Sequence, residues 1–153
     1  MILSVLTNSF IEGGIGGTHY GGCDLNGAEY EGINLESGDY CRRKHTVENL
    51  TKKVHEAGVF LIQSPPMSGK TSLSQLLEQH LLENPDIRVF RMSVLWMGLP
   101  GETWTFEEGF KKLMHITWGE FIDECRHIET VLIMDEAQVW KFFLFLILSY
   151  CKF

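Results

Sequence analysis

One stretch limits what this chain can fold into. Val59-Phe60-Leu61-Ile62-Gln63-Ser64-Pro65-Pro66-Met67-Ser68-Gly69-Lys70-Thr71-Ser72-Leu73 is an apolar run that feeds a turn-forming loop and then a helical pattern. The run reads as a buried strand, and Leu73, Leu76, Leu77, Leu81 and Leu82 repeat at helical spacing until Asn84-Pro85 stops them. A strand, a tight loop and a helix start form a layout that binds phosphate. Successive backbone N–H groups turn inward on the anion, the helix N-terminus faces it, a lysine reaches the outer phosphates and a hydroxyl holds magnesium. Gly69 gives the close backbone approach, Lys70 the point charge and Thr71 the hydroxyl, with Ser64, Met67, Ser68 and Ser72 completing the cradle. Against the pattern G-x-x-x-x-G-K-[ST] the last three positions match, while Ser64 stands where the first glycine belongs. Pro65 and Pro66 remove two backbone donors and leave those of Met67 to Thr71. Taken alone, Gly-Lys-Thr is equally an ordinary helix start.

A second stretch weighs against that plain alternative. Thr130-Val131-Leu132-Ile133-Met134-Asp135-Glu136 is an apolar run followed by two acids, a strand buried on both faces that delivers carboxylates at its C-terminal end. Ligands of open parallel sheets bind at that edge. Asp135 would meet the magnesium held by Thr71, and Glu136 would polarise the attacking water as the catalytic residue.

Together the two segments resemble the Walker A and Walker B motifs of P-loop NTPases, of the branch with an extra catalytic glutamate. The form Ser64-Pro65-Pro66-Met67-Ser68-Gly69-Lys70-Thr71-Ser72-Leu73 is similar to the variant loop in ATPase-like domains of Crinkler-type effectors and related fungal proteins. The resemblance spans about residues 59 to 138. It implies an α/β fold, a P-loop NTPase-like three-layer sandwich with a mainly parallel sheet, binding ATP or another nucleoside triphosphate with Mg2+. It also implies possible ATP hydrolysis and, for a Crinkler-like protein, action in the cytoplasm or nucleus of a host cell. Asp135-Glu136-Ala137-Gln138 resembles a helicase motif as well, but the short chain, the acidic balance and the lack of a second motor domain weigh against a helicase.

With 153 residues, 44% of them hydrophobic and 22% charged, the chain can bury a core of its own. A net charge of -7 gives no strong signal for nucleic acid or an anionic membrane, so any polyanion has to be met locally. Cys23, Cys41, Cys125 and Cys151 are spread without metal-ligand spacing and read as reduced thiols of an intracellular protein; Cys125 and His127 alone make a poor metal site. The apolar start from Met1 to Leu6 is too short and lacks the basic flank of a signal peptide.

From Gly13 to Gly38 glycine is dense, which predicts a poorly ordered, mobile lead over residues 1–44 with at most a few short strands, such as Ala28 to Leu35. Gly14-Ile15-Gly16 is not a dinucleotide loop, since neither a preceding strand nor a third glycine is expected in place. Arg42-Arg43-Lys44 reads as a solvated basic patch. Thr46 is placed to cap a helix carrying Val47, Leu50, Val54 and Ala57, stopped by Gly58; Ile87 to Leu95 reads as a strand. Trp96 and Trp104 lie in a loop where they would stack on a base or cover a core edge. Phe106 to Ile116 is a helical pattern, and Thr117-x-x-Glu120 signs the start of another helix.

Residues 45–141 are thus the expected NTPase core and 142–153 a hydrophobic tail. Phe142 to Leu148 is apolar throughout yet too short to span a bilayer, which predicts no transmembrane segment but leaves self-association or a protein partner open. The sheet is expected to be incomplete at its C-terminal end, which favours slow hydrolysis or none. The alternative function is a non-hydrolysing nucleotide-dependent or protein-interaction module.

Overall fold

Strand β5 (Thr130–Asp135) is buried at every position and forms the centre of the sheet. The computed structural model describes residues 1–6, 17–21, 32–94 and 104–136. Strand β4 (Arg88–Ser93) runs parallel to β5 with Arg88 opposite Thr130 and Ser93 opposite Asp135. On the far side of β4 lies β2 (Gly17–Gly21), also parallel. On the other side of β5 lies β1 (Ile2–Leu6), antiparallel both to β5 and to β3 (Val59–Leu61), so the order is β2-β4-β5-β1-β3.

Strand alternation sends side chains to two cores. Phe90, Met92, Leu132 and Met134 meet α3 (Phe106–Met114) and α4 (Trp118–Cys125) through Phe106, Phe110, Trp118 and Phe121. Val89, Val131 and Ile133 meet α1 (Lys44–Ala57) and α2 (Lys70–Leu81) through Val47, Val54, Leu73, Leu76 and Leu77. The chain is therefore an α/β fold with helices on both faces of one sheet. In the first core Phe110 packs edge-on to Trp118 at 5.0 Å between ring centroids, and Phe90 meets Phe121 at 4.9 Å. Each fully buried phenylalanine contributes roughly 1.5–3 kcal/mol of transfer free energy.

Several expectations change. Four strands share one direction, but both pairings of β1 are antiparallel. A crossover connection fixes a strand's direction, and β1 has none into either neighbour, since both pair with it from far along the chain. A strand does precede Gly14-Ile15-Gly16, although those three residues lie outside the described ones. Over the described part of Ala28 to Leu35 there is no strand; the Ile33 backbone instead bonds the Gln75 side chain, donating to Oε1 at 2.7 Å and accepting from Nε2 at 3.3 Å.

Helix α1 starts at Lys44 rather than after Thr46, with Arg43 as a left-handed N-cap and Gly58 at the stop. Arg88, at the strand start where an exposed charge is expected, is buried. Its Nη1 meets Glu124 at 2.6 Å, its Nε reaches the Thr130 hydroxyl at 3.3 Å and its guanidinium lies over the Phe90 ring. Helix α4 starts behind Thr117 as the capping signature predicts. The Trp96 loop and the tail from 142 lie outside the described residues.

Candidate functional site at the C-terminal sheet edge

After Leu61 the chain leaves the edge strand β3 and turns through Ser64 to Ser68 into α2. The turn is stitched by Ser64 and Ser68, whose hydroxyls lie 2.7 Å apart. Met67 holds a left-handed φ of 58° and is fully exposed at the apex. Gly69 follows at φ 79°, a conformation that only glycine adopts without strain. Lys70 folds back over the loop, its ammonium donating to the Pro65 carbonyl at 3.1 Å and the Ser64 carbonyl at 3.4 Å.

The three helices that follow the loop begin in different ways. Helices α3 and α4 close their N-termini with complete capping boxes. The Glu108 and Glu120 N–H groups donate to the Thr105 and Thr117 hydroxyls at 3.3 and 3.2 Å, and each carboxylate takes the threonine backbone N–H at 2.7 Å. Helix α2 has Gly69 as its N-cap, no side-chain cap and no acid in its first turn. The amides of Lys70, Thr71 and Ser72 thus meet neither a side-chain cap nor an acid of their own turn.

Asp135 ends β5 on the face that α2 covers, because Val131 and Ile133, four and two residues before it, pack in the core of α1 and α2. It is 3% exposed. One carboxylate oxygen accepts from the Glu136 N–H at 3.0 Å, and the other, also buried, has no hydrogen-bond partner. Glu136 sits one residue on, with a left-handed φ of 52°. Met1 connects the two halves of the site. Its amino group donates to the Ile62 carbonyl at 3.3 Å, and burial lowers its pKa from the ordinary 8.0, with Asp135 opposing that shift, Lys70 adding to it and Glu136 opposing it. Both β3 and β5 are antiparallel to β1, so the loop after β3 and the end of β5 leave the same edge of the sheet, on either side of β1. Strands β3 and β5 flank β1, which places Leu61 and Met134 about 9–10 Å apart at the 4.7–4.9 Å spacing of paired strands.

The structure therefore gathers Ser64, Met67, Ser68, Gly69, Lys70, Thr71 and Ser72 in one loop and helix start, with Asp135 and Glu136 beside it. Two further residues join them that sequence reasoning passed over. Ser93 is the register partner of Asp135, 2% exposed, with a buried hydroxyl that also has no hydrogen-bond partner. An apolar strand ending in serine gives little signal unless the pairing register is known. Arg43 brings a guanidinium to 3.5 Å from the position a Cβ would take at Gly69. Its signal lay in the basic run 42–44, which reads as a solvated patch and is exposed at all three residues.

Trp104 takes the Lys112 ammonium over its ring at 3.7 Å. A cavity of about 400 Å³ lies away from the loop, on the flank of α2 between Tyr40, Arg42, Lys44 and His80. Among the described residues no group of three or more His, Cys, Asp or Glu is placed to hold a metal ion, and no helix is long and apolar enough to cross a membrane.

No protein-family model, curated protein or solved structure matches this chain.

Proposed function

We propose that this chain binds a nucleoside triphosphate, ATP in the first instance, with magnesium, in the manner of P-loop NTPases. The observation that carries the reading is that one edge of the sheet holds both a helix start without a side-chain cap, bearing Lys70 and Thr71, and a buried carboxylate, Asp135, one of whose oxygens has no hydrogen-bond partner. A buried unpaired oxygen is costly, and a cation is the partner that repays it best. With one carboxylate and one hydroxyl at hand, the residues fit magnesium, which keeps most of its ligands from phosphate and water and takes only one or two from protein. They do not supply the several oxygens of a calcium cage. When bound, the metal would neutralise charge on the outer phosphates.

Each residue has a role in this reading. The amides from Met67 to Ser72 receive phosphate oxygens, and Lys70 exchanges its two loop carbonyls for the outer phosphates. Thr71, at the start of α2, and Asp135, at the end of β5, would hold the metal. Glu136 is the residue to orient a water for hydrolysis. The narrower likeness to ATPase-like domains of Crinkler-type effectors rests on the stretch from Ser64 to Leu73 and belongs to the same proposal.

The test is magnesium-dependent binding of a fluorescent ATP analogue, repeated on Lys70→Ala. The variant should keep its fold, since the ammonium touches only two exposed loop carbonyls, and lose most of the binding. Equal affinity in both proteins would remove the assignment. Hydrolysis is tested separately, by steady-state phosphate release from the protein and from Glu136→Gln.

A further inference from the structure

Lys70 does not stand alone over the loop. Arg43, the last residue before α1, holds its backbone at φ 44° and ψ 35°, a left-handed conformation that residues other than Gly, Asn and Asp adopt seldom and at a cost. It is fixed there because its carbonyl accepts the first helical bond of α1, from the Val47 N–H at 3.0 Å. The side chain crosses to the loop. A Cβ built at Gly69 would stand 3.5 Å from Arg43 Nη2 and 3.9 Å from Cζ and Nη1, so the guanidinium rests against the open side of the glycine that precedes Lys70.

Arg88, Arg91 and Arg126 each pair with a carboxylate, Glu124, Glu78 and Asp123 respectively. Arg42 and Arg43, both exposed, pair with none among the described residues. What sets Arg43 apart from Arg42 is its left-handed backbone and its guanidinium resting against the glycine at a helix start without a side-chain cap.

We infer that Arg43 is a second phosphate-binding residue, a guanidinium delivered in cis from the start of α1 across Gly69 to the phosphates held by the loop. The inference rests on the nucleoside triphosphate reading above and adds what α1 does for that site. Arginine suits the task because its planar fork can take two phosphate oxygens at once, whereas Lys70 is a point charge. Gly69 then has two duties: its φ of 79° turns the loop into the helix, and its missing side chain leaves the guanidinium its place.

The experiment titrates the fluorescent ATP analogue with magnesium against the full chain and against Arg43→Asn, Arg43→Lys, Arg42→Ala and Lys70→Ala. Asparagine accepts the left-handed backbone, so Arg43→Asn removes the cation without straining the start of α1. Its thermal midpoint should equal or exceed that of the parent. Its affinity should fall by roughly ten- to a hundred-fold, the worth of one or two charge-assisted hydrogen bonds. Arg43→Lys should recover part of that loss, Arg42→Ala none should show, and the salt dependence of binding should be shallower in Arg43→Asn. Unchanged affinity in Arg43→Asn together with lost binding in Lys70→Ala would overturn this inference and leave the parent reading intact. Equal binding by the parent and by Lys70→Ala, or none by the parent, would remove the phosphate site itself and this inference with it.

Discussion

Ser93 and Asp135 are register partners at the C-terminal ends of β4 and β5, and each buries an oxygen that finds no hydrogen-bond partner. Partners in adjacent parallel strands project to the same face, so both groups lie on the face that α1 and α2 cover, without bonding each other. Without ligand the serine hydroxyl is a pure desolvation cost. Ser93→Ala should therefore leave the ligand-free protein as stable or about 1 kcal/mol more stable by denaturant melt. The same variant should gain less from magnesium and nucleotide than the parent does. Equal ligand stabilisation in both would show Ser93 to be a filler of the sheet edge.

Asp135→Asn keeps the shape and removes the charge. The magnesium concentration needed for half-maximal nucleotide binding should rise by at least about tenfold, while binding at saturating magnesium falls less. Magnesium titrations that superimpose would reduce Asp135 to a cap on the Glu136 N–H.

The two capping boxes give a pH dependence of known sign. Backbone N–H groups of Thr105 and Thr117, then their hydroxyls, hold the Glu108 and Glu120 carboxyls below the ordinary 4.5. A depressed carboxyl contributes stability that is present above the unfolded value and is lost as pH falls through the folded one. The starts of α3 and α4 should loosen below about pH 4.5 in an amide-exchange series, and the double variant Glu108→Gln, Glu120→Gln should flatten that dependence while keeping much of the cap. An unchanged acid limb in the double variant would assign the loss to other carboxyls.

Phe110 is wholly buried among Phe106, Trp118 and Phe121. Phe110→Ala should cost about 3–5 kcal/mol in chemical denaturation, through lost transfer energy and the cavity left behind. A loss below 1 kcal/mol would mean that α3 is not anchored on the sheet.

Thiol chemistry should separate two cysteines sharply. Cys41 is exposed, whereas burial of Cys125 pushes its thiol up to about 11. At neutral pH a maleimide should modify Cys41 within the native protein and reach Cys125 only after unfolding, as mapped by mass spectrometry of peptides. Equal rates would show α4 to open readily.

What was legible in the sequence was local. The run 130–135 announces a doubly buried strand, and Thr117 with Glu120 announces a helix start, because each signal lies within a few consecutive residues. Gly69-Lys70-Thr71 marked a helix start for the same reason. What escaped notice depends on partners far away in the chain. Nothing near Ile2 says that it will lie between Leu61 and Met134, and nothing near Ser93 says that a carboxylate will stand beside it. Thr46 looked like the cap of α1 because threonine is a good cap, yet the helix starts three residues earlier behind Arg43, whose side chain lies against Gly69 instead. The strand reading of Ile87 to Leu95 left the fate of Arg88 open, because Glu124 and Thr130, which meet its buried guanidinium, come in from α4 and β5.

The place of β1 in the sheet bears on how the protein comes into being. Of the described strands this one is made first, yet one of its two neighbours, β5, is among the last described segments to be made: Ile2 pairs with Met134 and Leu6 with Thr130. The other neighbour, β3, can offer only a three-residue edge in the meantime. Closing so long a loop is entropically costly and slows folding, which makes the docking of β1 a late event. The converging groups around Met1 assemble only then, so a nascent chain has the loop and its helix well before it has the carboxylate edge that completes the site.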